Sequence, residues 1–204
     1  MRQTLIVMLK EPRPGRVKTR LGRDIGAVAA AWWFRHQSNA LIRRLRDPRW
    51  RIVLSVAPDV AGQASRCWPP DLERMPQGHG DIGQRMVRAL RRVPVGRVCL
   101  VGGDIPGMTR THVARAFTRL GASDVVFGPA VDGGFWLIGV RHGRQVPPAL
   151  FQGVRWSGPH TLADSVGSVA GSRVAQVDRL ADVDRGEDLR TASHFDHDGD
   201  GGSC

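Results

Sequence analysis

The stretch LIVMLKEPRPGRVKTR, residues 5–20, decides the fold of this 204-residue chain. Residues 5–9 predict a short buried strand, residues 10–20 form a basic segment broken by proline and glycine, and a helical pattern begins near Asp24. Unpaired N–H groups before a helix attract anions, and glycine lets the backbone approach a phosphate closely. Both lysines of the chain lie in this segment, although Lys and Arg together number 30. The stretch indicates a phosphate-binding loop or, alternatively, a solvated basic turn.

Length and composition limit the class of protein. A chain of 204 residues is expected to form one domain with a substantial core. No apolar run approaches the ~18 residues that suggest a membrane span, so a cytoplasmic protein without a span is expected. Three cysteines without CxxC spacing argue against a disulfide framework and a zinc site, and Cys99 is expected in the core. Residues 196–204 predict a disordered tail after a domain of residues 1–195.

The charge balance raises the question of a nucleic-acid partner. The net charge is +11 and the isoelectric point about 11.3, which favours acidic ligands. The arginines are scattered along predicted helices, however, without interleaved aromatic residues or an RNA-binding motif. A basic nucleic-acid-binding module is therefore kept as an alternative of another class, and nucleic acid is not the expected partner.

Strand and helix patterns alternate along the chain. Apolar runs predict strands at residues 5–9, 51–56, 98–101, 124–127, 135–140 and 173–177. Amphipathic patterns predict helices at residues 25–46, 81–92, 109–120, 157–169 and 187–195, with Asp81 and Thr109 as N-caps. Trp32 and Trp33 are expected to pack in the core. The alternation predicts an α/β domain with a mainly parallel central sheet flanked by helices.

The predicted loops at the carboxyl ends of the strands carry the polar groups that suggest chemistry. Ligands of open α/β sheets bind at this edge. Besides the basic loop, these are residues 77–86 with two glycines before a helix, Asp104 after a buried strand, and Asp132 in a glycine-rich turn. Asp132 suits a left-handed turn as well as a catalytic role. Because carboxylates repel phosphates unless a hard cation lies between them, the combination predicts a nucleotide bound with Mg²⁺ or Mn²⁺.

Five sequence blocks in order resemble the DUF2064 family. They are KEPRPGRVKTRL at residues 10–21, QGHGDIGQRM at 77–86, GGDIP at 102–106, DVVFGPAVDGG at 124–134 and DVD at 182–184. Members of this family are GT-A-fold, glycosyltransferase-like transferases related to 2-phospholactate guanylyltransferase. The resemblance covers nearly all of residues 1–190 and implies a nucleotide-diphospho-sugar transferase fold.

The resemblance also implies roles for individual residues. Gly15, Arg16, Lys18 and Arg20 would hold the phosphates, and Gln77 and Asp81 would face the nucleoside. The metal ligands would be Asp104 and Asp184. The chain departs from the family at Gly103, where Ser or Thr is frequent, and at Arg185-Gly186, which replace Thr-Pro.

The function expected from these residues is a metal-dependent transferase with a nucleotide sugar as donor and an unknown acceptor. Asp132 is the candidate base for an acceptor hydroxyl. The alternative within the same class is a nucleotidyltransferase, in which the basic loop would hold the leaving pyrophosphate.

Overall fold

The first strand, β1 (Gln3–Lys10), is an interior strand of a seven-stranded sheet, with a neighbouring strand on each side. The structure is a computed structural model that describes residues 3–93, 95–183 and 185–192, the last three by their backbone alone. Asp184 and the predicted tail at residues 196–204 lie outside the described residues. The other strands are β2 (Trp50–Ala57), β3 (Glu73–Pro76), β4 (Arg97–Gly102), β5 (Val125–Pro129), β6 (Phe135–Val140) and β7 (Val174–Gln176).

Seven α-helices accompany the strands in the described part of the chain. They are α1 (Thr19–Ile25), α2 (Ala27–Arg44), α3 (Asp59–Ala64), α4 (Ile82–Arg92), α5 (Arg110–Arg119), α6 (Thr161–Gly167) and α7 (Gly186–Ala192), with a 3₁₀ turn at Gly143–Gln145. Asp81 and Thr109 occupy the N-cap positions of α4 and α5, as predicted.

The strand order is β3-β2-β1-β4-β6-β5-β7. The pairs β1 with β2, β1 with β4, β2 with β3 and β5 with β7 are parallel, whereas β6 runs antiparallel to both β4 and β5. The prediction of an α/β domain with a mainly parallel sheet is therefore confirmed. Because six strands point the same way, their carboxyl ends meet along one edge.

Helices cover both faces of the sheet. Successive side chains of a strand point to opposite faces, so a strand can pack against helices on both sides. Leu5, Val7 and Leu9 of β1 pack with residues of α2 and α5. Ile6 of the same strand packs with residues of α4 on the other face. Burial on both sides explains why β1 is a continuous apolar run. Cys99 is fully buried, as expected, and burial raises the pKa of its thiol.

The predicted helix at residues 25–46 is wrong in its first part. A separate helix, α1, already begins at Thr19, and Gly26 with φ 91° interrupts the path before α2. This backbone angle is one that glycine adopts readily and that ends a helix. Lys18, directly before α1, is itself left-handed with φ 46° and ψ 49°. The basic loop is therefore shorter than predicted.

Other differences from the sequence prediction lie in short elements. Helix α3 and strand β3 occupy part of the predicted loop at residues 58–80, and α6 covers only the middle of the helix predicted at 157–169. Trp32 does not pack in the core. Its side chain is 56% exposed and stacks on His36 of the next helical turn, whereas Trp33 is partly buried.

Candidate active-site cleft

A cleft of about 770 Å³ opens along the edge where the parallel strands end. Residues after β1, β3, β4 and β5 line it, together with the first residues of β6 and a loop before α6. The predicted site residues that line this cleft are Arg16, Lys18, Arg20, Gln77, Asp81, Asp104 and Asp132. Gly15 is exposed outside the lining, and Asp184 lies in an undescribed position. The structure thus brings most of the candidates to one place.

The basic loop is held in place by two of its own residues. Val17 is 5% exposed and packs in the same core cluster as Phe34. Arg16 N–H donates to the carbonyl of Arg13 and closes a turn that includes Gly15 at φ 72°. Arg16 and Arg20 are exposed on either side of these anchors. Arg20 also lines a second crevice of about 500 Å³ beside Arg23 and Arg185.

An ion pair between Lys18 and Asp104 joins the basic loop to the edge of the sheet. Lys18 Nζ lies 2.6 Å from Asp104 Oδ2, and the two side chains are 7% and 28% exposed. Asp104 follows β4, and its carbonyl accepts from Val183 N–H at 3.4 Å. Asp182, which precedes Val183, also lines the cleft. The described carboxylates near the end of β4 are therefore Asp104 and Asp182.

These residues fit a divalent cation held jointly by protein and phosphate. The described residues contain no group of three or more His, Cys, Asp or Glu side chains able to hold a metal alone. Mg²⁺, however, usually takes one or two carboxylates plus substrate phosphates. Asp104 already carries a cation in contact with its oxygen, the Lys18 ammonium. Carboxylate oxygens beside a basic loop suit Mg²⁺ or Mn²⁺.

The glycine-containing loop after β3 serves the fold as well as the cleft. Gln77 is 3% exposed, and its Nε2 donates to the carbonyls of Leu9 and Ser55, at 2.9 and 3.0 Å. It therefore ties together the ends of β1 and β2. Gly78 and Gly80 have positive φ, and a Cβ on them would meet Arg88 and Gln84 at 2.8 and 2.0 Å. Their missing side chains make room for these neighbours.

Asp81 acts as the N-cap of α4. Its Oδ1 accepts from Gln84 N–H at 2.8 Å, and Gln84 Oε1 accepts from Asp81 N–H at 3.3 Å. This reciprocal pair is a capping box, which satisfies two otherwise unpaired donors at a helix start. One carboxylate oxygen is thus engaged locally, and the predicted contact of Asp81 with a nucleoside stays a prediction.

The Asp132 turn is fixed against the loop that precedes α6. Asp132 Oδ1 accepts from Gly134 N–H at 2.9 Å, and Leu162 N–H donates to the carbonyl of Gly133 at 2.9 Å. Gly133 has φ 88°, and a Cβ there would lie 2.5 Å from the carbonyl oxygen of Pro159. Asp132 therefore stabilises the turn through its side chain, but the residue with positive φ is Gly133 and not Asp132, as the left-handed alternative had required. The exposed carboxylate of Asp132 lines the cleft.

An aromatic wall next to Asp132 was not predicted from the sequence. Trp156 lines the cleft and packs against Phe135 and Phe151, with ring centroids 6.5 and 5.4 Å away. A bidentate contact from Arg155 to Asp164 of α6 holds the loop and keeps the pKa of that carboxyl well below its usual value. In the sequence, Trp156 is a single tryptophan in a predicted loop, and no hydrophobic periodicity indicates that it contributes to a site.

The fold is shared with solved transferase structures. A protein from Desulfovibrio desulfuricans G20, provisionally described as a nucleotide-diphospho-sugar transferase, superposes with a TM-score of 0.85 at 28% identity, covering 98% of this chain and 90% of that one. CMP:2-keto-3-deoxy-manno-octonic acid synthetase complexed with CTP gives 0.57 at 12% identity, covering 96% and 99%. A Mycobacterium tuberculosis H37Rv protein in complex with manganese gives 0.55 at 16%, covering 94% and 98%.

Fold and cleft together define a transferase enzyme with the fold of nucleotide-diphospho-sugar transferases. A family model for DUF2064, described as an uncharacterized protein conserved in bacteria, matches residues 40–158. The chain belongs to this family, which confirms the resemblance of the sequence blocks. No functionally curated protein matches the sequence. No helix in the described ranges is long and apolar enough to cross a membrane.

Proposed function

We propose that this protein is a divalent-metal-dependent transferase that uses a nucleotide sugar as donor. The observation that carries the proposal is the contact between Lys18 of the basic loop and Asp104 at the end of β4. It brings a candidate phosphate ligand and a candidate metal ligand within one cleft. The similarity to the protein from Desulfovibrio desulfuricans G20 supports the nucleotide-diphospho-sugar donor.

The donor would lie across the basic loop. Arg16, Lys18 and Arg20 supply charge-assisted hydrogen bonds to the diphosphate, with Arg able to bind two oxygens at once. Asp104 would hold Mg²⁺ or Mn²⁺, with Asp184 as the predicted second carboxylate. When bound, the cation supplies positive charge that neutralises the diphosphate leaving group. The manganese complex of the Mycobacterium tuberculosis protein supports this choice of ion.

The acceptor would approach from the end of the cleft lined by Asp132 and the aromatic wall. Asp132 takes the proton of an acceptor hydroxyl while the oxygen of that hydroxyl bonds to the anomeric carbon of the sugar. The bond between that carbon and the diphosphate oxygen breaks, and the nucleoside diphosphate leaves with the bonding electrons. Arg16 and Arg20 stabilise the charge that develops on the leaving group.

A second candidate within the class is nucleotidyl transfer. The concentration of three cationic side chains, Arg16, Lys18 and Arg20, at one end of the cleft favours it, because pyrophosphate leaves with a high negative charge. In that reaction an acceptor oxygen bonds to the α-phosphorus of a nucleoside triphosphate, and the bond from that phosphorus to the bridging oxygen breaks. The synthetase that binds CTP supports this candidate at the level of fold.

Calorimetry with UDP and GDP tests the metal-dependent binding on which both reactions depend. We expect wild type to bind a nucleoside diphosphate with Mn²⁺ and to lose about tenfold or more of that affinity without it. Asp104→Asn, which keeps the size of the side chain but removes its charge, should cause a similar loss. Equal affinities of a folded Asp104→Asn and wild type would reject the metal role of Asp104.

Product analysis separates the two reactions. Incubation with UDP-sugars or GDP-sugars should release the nucleoside diphosphate if a sugar is transferred. Incubation with nucleoside triphosphates should release pyrophosphate if a nucleotidyl group is transferred. Release of pyrophosphate alone, with no cleavage of nucleotide sugars, would favour the second candidate.

A further inference from the structure

The ion pair between Lys18 and Asp104 is unusual in its burial. The Lys18 side chain is 7% exposed although it belongs to a surface loop, and its Nζ lies 2.6 Å from Asp104 Oδ2. The residue also has left-handed backbone angles, a conformation that few non-glycine residues adopt and that costs free energy. The chain therefore directs this lysine inward, toward the carboxylate that is the candidate metal ligand.

Asp104 is the fixed member of the pair. Its carbonyl accepts from Val183 N–H, and its Oδ1 lies over Gly102, where a Cβ would approach to 2.8 Å. A Cβ at Gly103 would lie 2.3 Å from Leu9 Cδ2, so a side chain at this position would require the Leu9 side chain to move. Lys18, by contrast, carries its charge on a flexible four-carbon chain. Of the two charged groups, the ammonium is therefore the one that can move away when the partners change.

We propose that the Lys18 ammonium is an internal counter-ion that occupies the cation position at Asp104 until a metal–diphosphate complex binds. On binding, Asp104 passes to the divalent cation and Lys18 passes to a phosphate oxygen of the same ligand. This inference rests on the proposed function, since it takes Asp104 as a metal ligand. It goes further by assigning Lys18 as the residue that couples the binding of the cation to the binding of the diphosphate.

Electrostatics gives the reason for this coupling. A carboxylate removed from water is costly without an opposite charge, and Lys18 supplies that charge in the free protein. A divalent cation arriving alone would have to displace the ammonium or lie beside it, and like charges in contact repel. A diphosphate brings the negative charge that the displaced ammonium needs. Cation and diphosphate therefore favour each other's binding, and the coupling is reciprocal.

Manganese titration followed by electron paramagnetic resonance measures the coupling directly, because the signal of free Mn²⁺ is lost on binding. The probes are Mn²⁺ alone and Mn²⁺ with pyrophosphate, UDP or GDP, each compared with protein-free mixtures. The variant is Lys18→Met, which keeps an apolar stem in the buried position. Arg13→Met is the matched control, because Arg13 is an exposed cation of the same loop that does not line the cleft.

We expect wild type to bind Mn²⁺ weakly alone and at least about tenfold more tightly with a diphosphate, the factor that one charge-assisted hydrogen bond provides. Lys18→Met should bind Mn²⁺ alone at least about tenfold more tightly than wild type and gain less from the diphosphate. Arg13→Met should behave as wild type. Unchanged or weaker binding of Mn²⁺ alone to a folded Lys18→Met would overturn the proposal.

The wild-type protein offers an independent measurement if Lys18→Met does not fold. With ¹⁵N-labelled lysine, only two side-chain nitrogens contribute to the spectrum, because the chain has two lysines. One signal should move when Mg²⁺ and a diphosphate are added together and stay in place with Mg²⁺ alone. A signal that moves equally with Mg²⁺ alone, or with neither addition, overturns the exchange.

The Asp104→Asn variant separates failure of this inference from failure of the proposed function. If Asp104→Asn abolishes Mn²⁺–diphosphate binding while Lys18→Met leaves binding of Mn²⁺ alone unchanged, Asp104 is the metal ligand and Lys18 is not its counter-ion. If Asp104→Asn changes neither the binding of Mn²⁺ alone nor the binding of Mn²⁺ with a diphosphate, the metal role of Asp104 fails. The counter-ion role of Lys18 then fails with it.

Discussion

Lys18 shows how burial changes the meaning of a charged loop residue. An exposed loop charge contributes little to stability, and a basic turn at the surface would consist of such charges. The Lys18 side chain is 7% exposed and paired, so its removal leaves a carboxylate without its described ammonium partner. Arg16 and Arg20 in the same loop are exposed, so water screens their charges more than the charge of Lys18. Substitution at Lys18 therefore needs a folding control.

Gly133 is a second residue whose local conformation controls the cleft. Gly133→Ala should reduce the free energy of unfolding by about 1 kcal/mol or more beyond the loss caused by Gly153→Ala. Both glycines have positive φ, 88° and 70°, but only at Gly133 would the new Cβ meet backbone, at 2.5 Å from Pro159. Denaturant unfolding measures both variants. Equal losses would show that the Asp132 turn adapts to the methyl group.

Helix α4 begins with a cap that also lies in the cleft, so its two roles need separation. Asp81→Ala should lower the free energy of unfolding by about 1 kcal/mol, because it removes the acceptor of Gln84 N–H. Asp81→Ser should retain most of that stability, since serine also caps helices. Thermal unfolding compares the two variants.

The same pair of variants tests the predicted nucleoside contact of Asp81. If Asp81 serves only the helix, Asp81→Ser should bind nucleoside diphosphates as wild type does in calorimetry. A loss of affinity in a stable Asp81→Ser would instead support the contact with the nucleoside.

The start of β7 is joined to β5 by an ion pair that makes stability depend on pH. Arg173 donates to both oxygens of Asp124, and this hydrogen bonding lowers the pKa of Asp124 to about 2. A lowered folded-state pKa stabilises the protein above the unfolded pKa of about 3.9, and that contribution is lost as pH falls through 2. Asp124→Asn should therefore lower the unfolding temperature more at pH 7 than at pH 2. An equal effect at both pH values would contradict the pair's role.

Elements differ in how far the sequence could predict them, and the difference follows burial. Strands β1 and β4 are buried on both faces and appear as apolar runs. Strand β3 is a four-residue edge strand, ERMP, and α3 has Val60 82% exposed, so neither carries a clear pattern. The break at Gly26 was hidden because apolar residues continue on both sides of it.

The candidate site was predictable where a polar residue follows an apolar strand, as Asp104 does. The contact of Lys18 with Asp104 was not predictable, because it depends on a left-handed residue and on two loops far apart in sequence. Gln77 was predicted to face the nucleoside. Its hydrogen bonds to Leu9 and Ser55 could not be predicted, because they depend on which strands are neighbours in the folded sheet. Trp156 depends in the same way on tertiary packing.

At the scale of the whole molecule, some of the 30 Lys and Arg side chains are engaged by acidic residues within the protein. Several arginines outside the cleft pair with acids, including Arg46 with Asp71, Arg51 with Glu73 and Arg115 with Asp178. We therefore expect single-stranded oligonucleotides to bind in the micromolar range or more weakly at physiological salt. Fluorescence anisotropy against salt concentration measures this. Tight binding with a steep salt dependence would support the nucleic-acid-binding alternative.

The tryptophans of the cleft wall give the molecule a built-in optical reporter. The chain contains six tryptophans and no tyrosine, so its ultraviolet emission arises from indole rings alone. Trp136 and Trp156 line the cleft, although Trp136 is only 3% exposed, whereas Trp50 and Trp68 lie in the core outside the cleft lining. A nucleotide base that stacks near the wall would quench the fluorescence of the cleft tryptophans and leave that of Trp50 and Trp68 unchanged. Ligand occupancy can therefore be followed in the native protein without a dye or a label.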